Sequence, residues 1–330
     1  MLKVRFINIL FSLVGIIALS SSCVSDEEET SEGNWVRRSY FDGDNRSNAA
    51  SFTIGERAFI MGGYTGDDYL NDFWEYNPTG DYWERKADFP GKSRSNAVAF
   101  SIDGKGYVGT GYDGTDKLKD FWEYDPETNS WRELAEFGGT ARYDAVGFSL
   151  MDKGYIGTGY DGSEQKDFWQ YDPTTDSWKQ IISMGGAKRQ GAVAFVIDDI
   201  AYIGTGINNG SYEFDLWALD GNTLEWTEKR PIDYDDDYLI YRSNANAFTI
   251  GNYGYITVGN RGSILGSTWE YRPSTDEWLE KTDFEGTFRT GASVFSINNQ
   301  RAYILLGKSS SLRFDDIWEF EPFVDYNDED

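Results

Sequence analysis

Outside an apolar run at residues 6–19, the hydrophobic positions of this chain follow no helical period. They come instead in short runs in which small and large side chains alternate, as in Asn96-Ala97-Val98-Ala99-Phe100-Ser101-Ile102, the pattern of a strand with two different faces. One stretch of the chain reads as four such strands, SNAVAFSI, GKGYVGTGY, DFWEYDP and SWREL, divided by the turn-forming runs DG, DGTDK and PETN. Glycines at Gly106, Gly109 and Gly111 suit strands crowded near an axis. The predicted fold class is all-β.

The tryptophans turn this unit into a repeat. All 12 of them fall into two interleaved series. One series is Trp74, Trp122, Trp169, Trp217, Trp269 and Trp318; the other is Trp35, Trp83, Trp131, Trp178, Trp226 and Trp278. Trp74 precedes Trp83 by nine residues, and the same interval recurs down to Trp269 and Trp278. Trp318 has no such successor and Trp35 no such predecessor. The two orphans match, so a strand at residues 34–38 is expected to complete a last unit built from about residues 290–322. A repeat of about 48 residues lies in the range of propeller blades. Closing the ring also removes the two strand edges that an open stack would expose.

The units resemble kelch repeats. That family's pattern is a glycine pair ending the second strand, an aromatic residue in the third and a tryptophan in the fourth. Here stand Gly62-Gly63, Gly109-Thr110-Gly111, Gly157-Thr158-Gly159 and Gly204-Thr205-Gly206, followed by Phe73-Trp74-Glu75-Tyr76-Asn77-Pro78 and its copies through Phe168-Trp169-Gln170-Tyr171-Asp172-Pro173. The last two units keep only Gly259 and Gly307 of the pair. The resemblance implies a six-bladed propeller of four-stranded blades over residues 34–322. It says little about activity.

The first residues are of another kind. Lys3 and Arg5 precede the apolar run, which is short for a spanning helix and is followed by Ser20, Ser21, Ser22 and Cys23. Residues 1–22 therefore read as a signal peptide. Its end resembles a bacterial lipobox, although Leu19 stands four positions before the cysteine, one more than usual. Cys23 is the only cysteine and is expected to be lipidated, holding the protein at a membrane by its lipid alone. Residues 23–33 read as an acidic tether, similar to the export signal of some Gram-negative surface lipoproteins, and residues 323–330 as an acidic tail. The expected location is the outer membrane, with surface exposure favoured over the periplasmic side and secretion as the further alternative.

Charge excludes some partners. The chain carries 30 Lys+Arg against 56 Asp+Glu, and loss of the leader removes only basic residues. Nucleic acid and anionic lipid are poor partners for such a field. The tract from Asp233 to Asp237 lacks the spaced ligands and glycine of a calcium loop, and no metal or cofactor is expected.

One basic feature repeats against this background. Eleven residues after the fourth-strand tryptophan stand Arg46, Arg94, Arg142, Arg189 and Arg289, and an insertion displaces Arg242 to sixteen. Each begins an inner strand, where a propeller opens its axial channel. Two duties are open to these arginines: fastening the blades through carbonyls or through Asp113 and Asp161, which the planar guanidinium fork suits, or contacting an acidic ligand, as the resemblance to ligand-binding kelch proteins implies. Two positions on, Asn48, Asn96 and Asn244 differ from Asp144, Gly191 and Gly291, the asymmetry a specific pocket requires. The insertion at residues 230–242 adds Tyr234, Tyr238 and Tyr241, rings able to stack on sugar faces.

Catalysis is constrained by absences. The chain has 0 His, which excludes imidazole bases, serine–histidine triads and the copper centre of kelch-type galactose oxidases. A carboxylate beside an arginine, such as Asp144 with Arg142, is compatible with proton transfer on a sugar acid, the activity that resemblance to six-bladed kelch mutarotases and epimerases implies. The expected function is binding without chemistry of a carbohydrate, sugar acid or acidic protein segment, by a monomer or a subunit of an envelope complex. The alternatives are a sugar-acid mutarotase or epimerase, and a scaffold subunit of a surface complex.

Overall fold

A computed structural model describes residues 32–233, 240–327 and 329. The chain divides into Met1–Thr30, outside the described residues, and the unit Ser31–Asp330. Every regular element among the described residues is a strand. Six four-stranded antiparallel sheets follow one another as blades. The first holds Ala50–Ile54, Arg57–Tyr64, Tyr69–Asn77 and Tyr82–Arg85, and the second Val98–Ile102, Lys105–Gly109, Phe121–Asp125 and Ser130–Glu133. The third, fourth and fifth begin with Val146–Leu150, Val193–Ile197 and Asn246–Ile250.

The sixth blade closes the ring as the orphan tryptophans require. Ser293–Ile297, Arg301–Leu305 and Asp316–Asp325 are completed by Glu32–Tyr40, with Trp35 opposite Phe320. The closing pair is longer at both ends than the sequence pattern suggests. Glu32 pairs with Asp325, and its carboxylate takes the Lys281 ammonium of the fifth blade, so the strand starts inside the stretch read as tether.

Burial alternates along each inner strand, as in Ala50–Ile54 and Val98–Ile102. Ser51, Thr53, Ser101 and Ser149 line the axial channel, while Phe52, Phe100 and Phe148 are buried toward the next blade. One hydrophobic cluster fills each gap between blades. Phe52, Phe59 and Phe73 of the first blade pack with Val108 and Tyr124 of the second, and Phe295, Tyr303 and Ile317 of the sixth pack with Ile60 and Tyr76 of the first. Gly106 shows why the second strand needs a residue without a side chain. A Cβ there would lie 2.2 Å from the Phe52 ring, so the close neighbour is a side chain of the preceding blade.

The two tryptophan series do different jobs. Fourth-strand Trp131 packs on Phe73 and Phe89 at 4.9 and 5.1 Å, and its indole donates to the Ala87 carbonyl; it ties its blade to the one before. Third-strand Trp122 donates to Asp120, two residues upstream, within its own blade.

Candidate functional site

That aspartate is the key to the repeated arginines. Arg94 sends Nη1 and Nη2 to the two carboxylate oxygens of Asp120 at 2.7 and 2.6 Å, Nη1 also to the Thr110 carbonyl, and Nε to the Lys92 carbonyl. Its guanidinium lies 4.8 Å from the Phe89 ring centre. Arg46 with Asp72, Arg142 with Asp167 and Arg289 with Asp316 repeat this knot, and Arg189 holds Asp215 through Nη2 alone. Arg242 instead meets Ser267, through its carbonyl and hydroxyl; burial and the nearby charge of Arg261 lower its guanidinium to about 9.

All six arginines are 0% exposed. Their hydrogen bonds run to groups of their own blades, the geometry that blade fastening requires, and none of the six lines the mouth. Their carboxylate partners are the third-strand aspartates. Asp113 and Asp161 hold the upper loops, Asp113 taking Lys92 and the backbone of Thr115, and Asp161 taking the Thr140 hydroxyl. Burial alone would raise the carboxyls of Asp72, Asp120, Asp167 and Asp316. The bonds and charge of the partner arginines outweigh it and hold all four below the ordinary range. The signal was present as an aspartate two residues before five of the six third-strand tryptophans.

Two positions after each arginine the chain turns into the axis. Asn48, Asn96, Asp144, Gly191, Asn244 and Gly291 all have left-handed backbone, with φ of 57°, 53°, 52°, 61°, 48° and 61°. Asparagine, aspartate and glycine are the residues that accept this conformation at least cost. Backbone bonds link neighbours around the ring: Asn96 N to Asn48 O at 2.9 Å, Asn48 N to Gly291 O at 2.7 Å, Gly291 N to Asn244 O at 3.4 Å, Asn244 N to Gly191 O at 2.9 Å and Gly191 N to Asp144 O at 3.0 Å. The three residue types found here suit that conformation, and the choice among them shapes the opening.

These six residues, with Ala49, Ala97, Ala145, Ala192, Ala245 and Ala292 below them, line a cavity of about 230 Å³. The side chains of Asn48, Asn96, Asp144 and Asn244 have no hydrogen-bond partner among the described residues. Gly291 leaves its sector to Asn48, whose Oδ1 would lie 2.1 Å from a Cβ there. Burial pushes the Asp144 carboxyl up to about 6, with the charge of Lys308 pulling it partly back. Lys308 stands on the sixth blade, across the ring from the third. The Tyr143 phenol, raised chiefly by burial and next by the Asp144 charge, lies close by.

The insertion contributes Tyr241, which packs beside Tyr212 and Phe214 and under the Arg261 guanidinium, 4.8 Å from its ring centre. Tyr234 and Tyr238, with most of the Asp233–Asp237 tract, lie outside the described residues, as do the leader and Cys23. Among the described residues no group of three or more acidic or thiol side chains is placed to hold a metal ion.

A model of the kelch-repeats domain of KLHDC2, KLHL20 and DRC7 matches residues 44–190. The six blades, the closing N-terminal strand and the repeated glycine and tryptophan motifs accord with that match. The chain is a six-bladed propeller that carries kelch repeats over residues 44–190. Among solved structures, one described as the structure of YjhT superposes on this kelch propeller with a TM-score of 0.73 at 17% identity, covering 85% of this chain and 95% of that one. No curated protein matches the sequence. A kelch propeller supports a binding or scaffold role, with the activity set by the site it carries.

Proposed function

We propose that the propeller is the recognition module of a lipid-anchored envelope protein and takes a carbohydrate or sugar-acid unit at its axial mouth without chemistry. The observation that carries this reading is the set of four polar side chains lining the cavity, Asn48, Asn96, Asp144 and Asn244, none with a hydrogen-bond partner among the described residues. Three carboxamides and a carboxyl offer paired donors and acceptors, the chemistry that recognises hydroxyl groups.

A glycan and sugar-acid binding screen, with turnover followed by NMR on each hit, tests the reading. Binding without anomer or epimer exchange is the expected result. Exchange would favour a mutarotase or epimerase instead, for which Asp144, near half-protonated around pH 6, is the candidate proton carrier. Anchoring is tested separately: labelled palmitate should enter the wild-type protein and not Cys23→Ser, and protease treatment of intact cells should degrade a surface-exposed propeller.

A further inference from the structure

Just above the ring of left-handed residues lies a second set of six equivalent positions. Each forms an antiparallel bridge to the residue that follows a knot arginine: Ser47 with Tyr64, Ser95 with Tyr112, Tyr143 with Tyr160, Gln190 with Ile207, Ser243 with Asn260 and Thr290 with Lys308. The same backbone therefore accepts tyrosine, isoleucine, asparagine and lysine. Nothing in the fold demands three tyrosines in the first three blades.

Those tyrosines join others into a continuous arc. Ring centres are 4.6 Å apart from Tyr64 to Tyr69, 5.9 Å from Tyr69 to Tyr112, 5.5 Å from Tyr112 to Tyr143 and 5.5 Å from Tyr143 to Tyr160. All five are half-buried. The phenols of Tyr64 and Tyr112 donate to the carbonyls of Gly66 and Gly114 in their own loops, which fixes ring orientation before any ligand arrives. A cation stands at each end, Arg313 at 5.1 Å from the Tyr64 ring centre and Lys117 at 6.0 Å from that of Tyr160. The arc meets the mouth at Tyr143, which adjoins Asp144, and spans the first three blades.

We propose that this arc is a second subsite, carrying further units of a saccharide chain whose end occupies the mouth. The proposal rests on the carbohydrate reading above and deepens it from a single sugar to an oligosaccharide. Pre-oriented amphipathic rings suit sugars, whose apolar faces stack while their hydroxyls stay wet.

The test uses an array of mono- to hexasaccharides of glucose, mannose, galactose and their uronic acids, with short acidic peptides beside them, probed with the full chain. The variant pair is Tyr112→Asn with Tyr160→Ile, which places at these positions the residues that the fifth and fourth blades already carry. In the wild type, affinity is expected to rise about three- to tenfold per added unit over the first units. In the double variant that rise is lost while the monosaccharide affinity and the melting temperature are unchanged. Bound monosaccharides with no gain on lengthening would overturn the second subsite and leave the mouth standing. An undiminished rise in the variant would also overturn it, as would a length effect confined to the peptides. No saccharide bound at any length would sink both readings.

Discussion

Arg94 and Asn96 stand two residues apart and belong to different worlds. The arginine is buried, identical in all six units and spent on its own blade. The asparagine lines an open mouth, varies from blade to blade and keeps its carboxamide uncommitted among the described residues. The contrast separates two kinds of repetition. What recurs six times without change holds the blade, because each blade poses the same mechanical problem. What changes at a fixed backbone position is free to answer to a single asymmetric ligand.

The largest test breaks the knot layer. Arg94→Ala leaves the partly buried Asp120 carboxylate, 23% exposed, without its arginine, and breaking one half of a buried pair costs at most about 3–5 kcal/mol. Chemical denaturation should show a loss of that size, and Arg94→Lys should lose less, keeping the charge but not the fork. A variant as stable as wild type that had lost ligand binding would reverse the comparison and restore the arginines to the site.

A second test strains the mouth ring itself. Gly291→Val puts a β-branched residue at φ +61° with its Cβ 2.1 Å from Asn48 Oδ1. Strain alone costs about 1–2 kcal/mol, and displacement of Asn48 should weaken binding as well. Melting temperature and affinity measured on the same variant should therefore both fall, whereas knot variants that stay folded should lose stability and keep the affinity of the mouth.

How far the sequence exposed these layers depends on which force wrote each one. Closure was legible because Trp35 and Trp318 are mutual orphans, and strand pairing is what tryptophan spacing records. The knot was half legible: Arg46 and its copies stood out, but their partners lie 25 to 27 residues away, and no local pattern links Arg94 to Asp120 except the aspartate two residues before five of the six third-strand tryptophans. The mouth residues were visible as an asymmetry, while their left-handed backbone, which favours the types found there, appears only in three dimensions. The tyrosine arc escaped because Tyr64, Tyr112 and Tyr160 follow the glycine pair, where they look like ordinary strand residues.

The two layers also part with pH. In the mouth, Asp144 is raised to about 6, against about 3.9 for an unfolded aspartate, so folding takes up a proton between those values. Its contribution to stability is greatest below pH 4, falls as pH rises toward 6 and is constant above. The effect is on the order of 1–2 kcal/mol once solvent screening at the open mouth is allowed for. The knot aspartates Asp72, Asp120, Asp167 and Asp316 are shifted downward and act oppositely, losing stability as pH falls below about 4. Asp144→Asn should abolish the first slope and leave the second, as read from melting temperatures between pH 3 and 8.

The smallest expected change in stability is the most telling for the site. Asn96→Gly gives the second blade the residue that the fourth and sixth already carry at this position, with no conflict of backbone, since glycine accepts φ near +53° freely. The carboxamide has no protein partner among the described residues to lose, so stability should move by only about 0.5 kcal/mol. Affinity for a mouth ligand should drop about tenfold, the worth of one well-placed polar contact. A drop in stability with no change in binding would mean that the asparagines serve the ring of backbone bonds, and the mouth would then join the knots as part of the frame.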